Sequence, residues 1–218
     1  MDKVEKIYRD LQRHLDKQPV GYPATRSGAE IRILKRLFNP EEAQLAVHLS
    51  YKPKSATQVW ESVKEEGMSP ANVEVMLDRM MKRGAIGHFE REGIRYFHTM
   101  PFIVGMFEFQ LQRLTPDFLA DVRKFVTDKA FGLEFLGSKV PQMRTIPVRK
   151  SIPIYRYVTT YNQLTDIING TEGPIVMHEC ICRKMAAMKG NVCQQTSRLE
   201  TCMALGDMAK NSIRMGTG

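Results

Sequence analysis

The sequence has no long hydrophobic run and no cysteine before position 180. None of its apolar stretches approaches the ~20 residues that a membrane-spanning helix needs. Its first residues, M-D-K-V-E-K-I-Y, lack the apolar segment of a secretory signal. We therefore expect a cytoplasmic protein without a membrane segment. The reducing cytoplasm would disfavour disulfides.

The familiar motifs of catalysis and nucleotide binding are also missing. The 218 residues contain no P-loop, no G-x-G-x-x-G, no H-E-x-x-H and no nucleophile–base motif, and the five histidines are dispersed. We therefore predict no catalytic residues. The formal net charge of +8 permits an anionic partner but does not require one.

The four cysteines, in contrast, are concentrated in one short segment. Cys180, Cys182, Cys193 and Cys202 form the pattern C-x-C-x10-C-x8-C. Four thiolates can hold zinc or an iron–sulfur cluster, and the spacing differs from that of bacterial ferredoxins and of zinc knuckles. We predict that the four cysteines bind one metal centre, either a 4Fe–4S cluster or zinc. A disulfide pair or inert buried thiols are the alternatives.

Local patterns predict how this segment would assemble. Two extended residues would place Cys180 and Cys182 on one side, and a helix over 183–189 would end at Gly190. A second helix over 199–210 would carry Cys202 in its first turn, and a strand over 174–177 would lead into the site. The sequence also offers His178 as a fifth ligand or as a hydrogen-bond donor to a ligand.

Apolar and basic residues surround the cysteines in the sequence. An apolar shell could exclude water from a cluster, and positive charge could offset its thiolates. Ordinary core packing and a solvated basic face are the alternatives for these two groups. The residues concerned are Ile181, Met185, Met188, Met203 and Met208 for the shell, and Arg183, Lys184, Lys189 and Arg198 for the charge.

The preceding part of the chain predicts a winged helix-turn-helix. Apolar periodicity and capping residues predict helices over 2–17, 31–38, 40–49, 55–66 and 70–83. A hairpin follows, with strands at 85–91 and 94–99 around the turn Glu92-Gly93. The predicted fold class is mainly α with small β. Its domains are an N-terminal helix and linker over 1–22, a winged-helix-like domain over 23–135 and a cysteine-rich region over 136–218.

A winged helix can bind DNA or dock a protein. Glu74 and Asp78 on the predicted recognition helix would repel phosphate, although Arg91 and Arg95 in the wing could attract it. DNA is therefore a partner that the sequence does not favour. The other exposed positions predicted for this helix are Asn72, Arg79 and Lys82.

The remaining patterns predict helices over 101–114, 116–131 and 161–169, and an extended segment over 141–154. Apolar stripes on the first helix and on the helix after Thr115 would either pair in a homodimer or pack within their own domain. The stripes comprise Val4, Ile7, Leu11 and Leu15 on the first helix, and Phe118, Leu119, Val122, Phe125 and Val126 on the second.

Three runs of the cysteine segment, at 180–184, 190–193 and 199–203, resemble a known family. They are similar to iron–sulfur proteins of anaerobic bacteria, of the 4Fe–4S ferredoxin type, in which a region like this N-terminal half precedes a C-x-C-R…C…C segment. The phrases N-P-E-E at 39–42 and M-P-F-I at 100–103 are also similar. Those relatives commonly continue into a C-x2-C-x2-C-x3-C-P module, which this sequence lacks, so we interpret it as a shorter relative or a fragment.

The resemblance implies a 4Fe–4S cluster on the four cysteines and a redox partner protein. We therefore expect electron transfer or redox docking to a larger oxidoreductase, and a component of a redox system rather than a catalyst. A redox- or metal-responsive DNA-binding regulator and a zinc-stabilised interaction module are the alternatives.

Overall fold

The computed structural model describes residues 2–137, 161–194, 196–214 and 216. Within this part the chain is mainly helical, with ten α-helices and two small sheets. The predicted fold class, mainly α with small β, is confirmed at this level. None of the described helices is long and apolar enough to cross a membrane.

Short helices build the first part of the chain, and side-chain caps fix where several of them begin. Asn39 and Glu42 form a reciprocal capping box, Ser55 and Gln58 form another, and Ser69 accepts a hydrogen bond from the Asn72 N–H. A 3₁₀ turn at Lys64–Glu66 follows the fourth helix. The elements are α1 (Lys3–Asp16), α2 (Ala29–Leu37), α3 (Pro40–Ala46), β1 (Lys54–Ser55), α4 (Ala56–Glu61) and α5 (Pro70–Lys82).

The predicted hairpin is present as β2 (Gly87–Arg91) and β3 (Ile94–His98). Its turn places Glu92 and Gly93 at φ of 54° and 75°, the left-handed pair that matches the twist of a two-residue hairpin. The short β1 pairs with the outer side of β3, so the strand order is β1-β3-β2. Apart from β1, which the sequence did not predict, the order of helices and hairpin strands is the predicted one. The assignment to the winged-helix fold stays a prediction.

The predicted helix over 101–114 is wrong in its details. Residues Phe102–Met106 form a π-helical turn, with hydrogen bonds from Met106 N to Pro101 O and from Phe107 N to Phe102 O, both 3.0 Å. A 3₁₀ segment, Glu108–Arg113, follows. The Glu108 carboxylate accepts the Gly105 N–H at 2.6 Å, which supports the irregular turn.

The predicted helix over 116–131 is divided into α6 (Pro116–Val126) and α7 (Lys129–Gly137). The Thr127 hydroxyl donates to the Arg123 carbonyl at 2.8 Å, and the Asp128 carboxylate accepts the Ala130 N–H at 2.9 Å. These contacts end one helix and begin the next within two residues.

One hydrophobic core joins α1, α2, α3, α5, α6 and the hairpin. Leu11, Leu34, Leu77, Phe97 and Phe125 are all almost completely buried in it. The apolar stripes of α1 and α6 therefore pack largely within their own chain, the alternative to a dimer that the sequence left open. The predicted division into domains stays a prediction.

The C-terminal part is built on a two-stranded antiparallel sheet. It contains α8 (Tyr161–Asn169), β4 (Ile175–Glu179), α9 (Ile181–Met188), β5 (Glu200–Leu205) and α10 (Gly206–Arg214). Val176, Ala204 and Ala209 form a small separate core. The helix predicted over 161–169 is confirmed, and the extended segment predicted over 141–154 lies outside the described residues.

Two local predictions for the cysteine segment are wrong. Cys202 lies in β5 and not in a helix, because residues 200–205 pair with β4 and bury Ala204 against Val176. Helix α9 also begins at Ile181, so Cys182 is in its first turn and not on an extended backbone. The helix turn, rather than strand alternation, brings Cys182 near Cys180.

Candidate metal centre

Cys180 lies at the junction between β4 and α9. Its N–H donates to the Leu199 carbonyl at 2.8 Å, and its carbonyl accepts the Lys184 N–H at 2.9 Å. The backbone is therefore fixed on both sides: the first bond ties it to the chain entering β5, and the second begins the helix. A cysteine in this place presents its sulfur to the positive end of the helix dipole.

The Cys180 sulfur is stabilised as a thiolate. Its side chain forms no regular capping hydrogen bond. Burial raises the pKa of Cys180, but the nearby N–H groups of Arg183 and Cys182, the Cys202 thiol and the Thr201 hydroxyl together lower it below its usual value. A thiolate is the form of cysteine that binds a metal.

Cys202 and Cys182 approach Cys180 from two elements. Cys202 stands opposite His178 in the sheet register, and Cys182 is one helical turn from the end of β4. Burial, followed by contact with the Cys180 thiolate, raises the pKa of Cys202 to about 11. The same two causes raise the pKa of Cys182, to which the charge of Glu108 also contributes. Of the three, Cys180 is therefore the sulfur that loses its proton most easily.

Cys193 occupies the loop between α9 and β5. It is exposed and lines a cavity of about 270 Å³ together with Cys182, Arg183 and Arg198. Among the described residues, no three cysteine, histidine or acidic side chains are arranged as a ready-made metal site. The structure brings Cys180 close to Cys182 and to Cys202, and Cys193 shares the wall of this cavity with Cys182.

The predicted methionine shell is only partly assembled around the site. Met203 and Met208 line a second cavity with Cys202 and His178. Met185 instead packs against the main core, and Met188 lines a groove beside α6. Ile181 is buried in the main core, so it anchors α9 rather than surrounding the cysteines.

The basic residues have separate roles. The Lys184 ammonium pairs with the Glu179 carboxylate at 2.5 Å, which offsets its charge within the chain. The Arg183 guanidinium donates to the Arg198 carbonyl at 3.4 Å, and its charge acts on Cys202 against the effect of burial. His178 places Nδ1 3.2 Å from the Glu179 carbonyl, so this ring is held beside the site.

The predicted recognition face on α5 is largely neutralised by the hairpin. The Arg95 guanidinium reaches the Asp78 carboxylate at 2.5 Å and the Glu74 carboxylate at 3.0 Å. The Arg91 side chain is 3.7 Å from Glu92. Asn72, Arg79 and Lys82 are exposed, as the sequence predicts. Arg95, one of the two arginines expected to attract phosphate, is therefore occupied by the two carboxylates expected to oppose it.

Two residues near the site were missed by sequence reasoning. Thr201 acts on the Cys180 sulfur, and only its place next to Cys202 in the sequence hinted at this. Glu108 had a stronger signal: it is the one charged residue among positions 99–112. A lone acid within so apolar a run indicates a carboxylate held against a core or a cavity.

Comparisons of this chain with protein-family models, with curated proteins and with solved structures find no match. The resemblance to 4Fe–4S ferredoxin-type proteins therefore stays a prediction. The residues of the site and their contacts carry the functional interpretation.

Proposed function

We propose that the protein binds a 4Fe–4S cluster through Cys180, Cys182, Cys193 and Cys202 and serves in one-electron transfer or redox docking to a larger oxidoreductase. The main support is that Cys180 lies close both to Cys182 and to Cys202, where β4 ends and α9 begins. All four cysteines of the chain are in this segment. Four thiolates are the usual ligand set of such a cluster.

The chain's own residues suit thiolate ligation. The N–H groups at the start of α9 and the Thr201 hydroxyl stabilise negative charge on the Cys180 sulfur. Donors of this kind hold a thiolate ligand in place and make reduction of a bound cluster easier. The cluster, when bound, supplies one-electron chemistry.

Access for a partner supports a role in electron transfer. Cys182 and Cys193 are exposed, and Val192 next to Cys193 has 63 % of its surface exposed. A ligand loop at the surface lets a partner protein approach the centre closely. The redox partner would dock over this loop.

Zinc is the alternative metal, because four thiolates also satisfy its tetrahedral coordination. A zinc site would stabilise the segment and would leave no redox role. Purification without oxygen, followed by analysis of iron, acid-labile sulfide and zinc, separates the two. We expect about four iron and four sulfide per chain; stoichiometric zinc without sulfide would overturn the cluster assignment.

The cysteines can be tested one at a time. We expect Cys193→Ser and Cys202→Ser each to abolish the visible absorption and to loosen residues 175–214, because metal binding contributes to folding of such segments. The control is Ser197→Ala, an exposed change in the same loop as Cys193. Hydrogen exchange should leave α2 to α6 protected in every variant. Full colour in either serine variant would contradict ligation by all four cysteines.

A DNA-binding regulator is the remaining alternative. Because Glu74 and Asp78 already hold Arg95, we expect only background affinity for random duplex DNA at physiological salt. The contrary result would be sub-micromolar, metal-dependent binding to a DNA duplex from the protein's own operon. That result would favour a DNA-binding regulator over the proposed role in electron transfer.

A further inference from the structure

A second cavity lies between the segment after the hairpin and the C-terminal sheet. It has a volume of about 390 Å³, within the range of small-molecule sites. Its wall is mostly apolar, with Phe109, Met203 and Met208 among the lining residues. Glu108, His178 and Ser212 add the polar groups. A mostly apolar cavity with a few polar groups is the usual form of a ligand site.

Glu108 is the distinctive feature of this wall. Its Oε2 atom accepts the Gly105 N–H at 2.6 Å, and no lysine, arginine or histidine among the described residues forms an ion pair with it. Burial, only partly offset by hydrogen bonds from the backbone, raises the pKa of this carboxyl. The Gly105 contact accounts for one oxygen, and the charge itself lacks a counterion within the described chain.

We propose that this cavity binds a small organic cation, with its ammonium group on the Glu108 carboxylate and its apolar body against Phe109 and the two methionines. A carboxylate without a counterion, partly removed from water, gains most from a ligand that brings the missing positive charge. Aromatic faces and methionine sulfur are favourable surfaces for the body of such a cation. The proposal does not rest on the metal centre, although Cys202 also lines this cavity.

The simplest test compares two ligands of the same shape on the unmodified full-length protein. The probe is 2-phenylethylammonium and the neutral control is 2-phenylethanol, both followed by isothermal titration calorimetry near neutral pH. A charge-assisted hydrogen bond of ordinary strength predicts that the amine binds at least about tenfold more tightly than the alcohol. Equal affinities, or no binding of the amine, would overturn the proposal.

Matched variants then locate the effect. Glu108→Gln keeps an oxygen that can accept the Gly105 N–H and removes the charge, so we expect the tenfold preference for the amine to disappear. Glu65→Gln removes one exposed carboxylate that does not line this cavity and should leave the preference unchanged. Met208→Trp, at a position with 67 % of its surface exposed, narrows the cavity and should weaken both probes.

Each variant result bears on the proposal. An unchanged preference in Glu108→Gln would assign amine binding to another surface and overturn the proposal. Should that variant fail to fold, the amine–alcohol comparison on the unmodified protein and the effect of Met208→Trp still decide it. Iron and sulfide content, measured on the same samples, reports separately on the proposed cluster.

Discussion

The part of the chain up to α6 and the cysteine segment over 175–214 bury their apolar residues very differently. In the first, Leu34, Leu77 and Phe125 belong to a core that joins five helices and a hairpin. In the second, the separate core consists of Val176, Ala204 and Ala209. Apolar burial of this small extent contributes little to stability. The cysteine segment therefore depends on contacts outside itself, and the proposed function adds bound metal to those contacts.

Few contacts supply that support. Ile181 is buried in the main core and Met185 packs against it, which anchors α9. Helix α10 meets β2 through two polar contacts, from the Arg214 guanidinium to the Glu90 carboxylate at 2.6 Å and from the Asn211 amide to the His88 carbonyl at 3.3 Å. The first contact is exposed and the second is partly buried.

The largest loss of stability is expected from a substitution in the main core. Phe125 is completely buried, with ring centroids 4.7 Å from Tyr22 and 4.9 Å from Phe131. Phe125→Ala should lower the free energy of unfolding by about 3–5 kcal/mol, through lost burial and the cavity left behind. Val176→Ala, in the small core, should cost roughly 1–2 kcal/mol. Urea unfolding measures both losses, and hydrogen exchange shows which region each substitution loosens. Equal losses would contradict the expected difference between the two cores.

A slightly smaller loss of stability is expected when the buried ion pair between Arg83 and Glu42 is broken. The Arg83 guanidinium reaches the completely buried Glu42 carboxylate at 2.6 and 3.3 Å. Arg83→Met would remove the counter-charge of that buried carboxylate while leaving it the hydrogen bond from the Asn39 N–H, and should cost about 3 kcal/mol. Adding Glu42→Gln should recover part of the loss, because it removes the unpaired charge. Chemical denaturation of both variants checks this; a double variant less stable than Arg83→Met would contradict it.

Prediction from the sequence worked better in the part of the chain up to α6 than in the cysteine segment. In the first part, local chemistry specifies structure: Asn39, Ser55 and Ser69 cap helices, and Glu92-Gly93 closes the hairpin. Such signals need only a few neighbouring residues. They therefore fix where elements begin, whatever the rest of the chain does.

In the cysteine segment, long-range contacts override local preference. Residues 200–205 include good helix formers, yet their pairing with β4 makes them a strand. The concentration of the four cysteines was visible in the spacing, whereas the contact between Cys180 and Cys202 depends on that pairing. The cavity beside Glu108 depends on packing between distant segments, so only the isolated charge itself was visible in the sequence.

The hairpin contains His88, a buried histidine whose protonation should affect the stability of the folded protein. His88 is 6 % exposed, and its Nε2 has no hydrogen-bond partner among the described residues. Burial first, and then the charges of Arg214, Arg95 and His98, lower the pKa of His88, against a smaller opposite effect of Asp78. The neutral ring is therefore the form that the folded protein favours.

This shift predicts a pH dependence with a definite sign. A lowered pKa in the folded state gives stability that is fully present above the unfolded value of about 6.5 and is lost as the pH falls through the folded-state pKa. Urea unfolding between pH 8 and 5 should show a smaller acid loss for His88→Phe than for the unmodified protein. Parallel curves for the two proteins would refute the assignment to His88.

The smallest effect is expected where the two regions meet, at the ion pair between Arg214 of α10 and Glu90 of β2. Each side chain is 39 % exposed, so solvent screens the attraction. A double-mutant cycle with Arg214→Met and Glu90→Gln should give a coupling of about 0.2–1 kcal/mol. The coupling should fade toward 1 M salt, where the screening length is about 3 Å. Hydrogen exchange in the variants should quicken in α10 and stay unchanged in α2 to α6, because the main core does not need this contact. A coupling above about 2 kcal/mol that persists in salt would mean that α10 and the hairpin unfold together, and the cysteine segment would then share the stability of the main core.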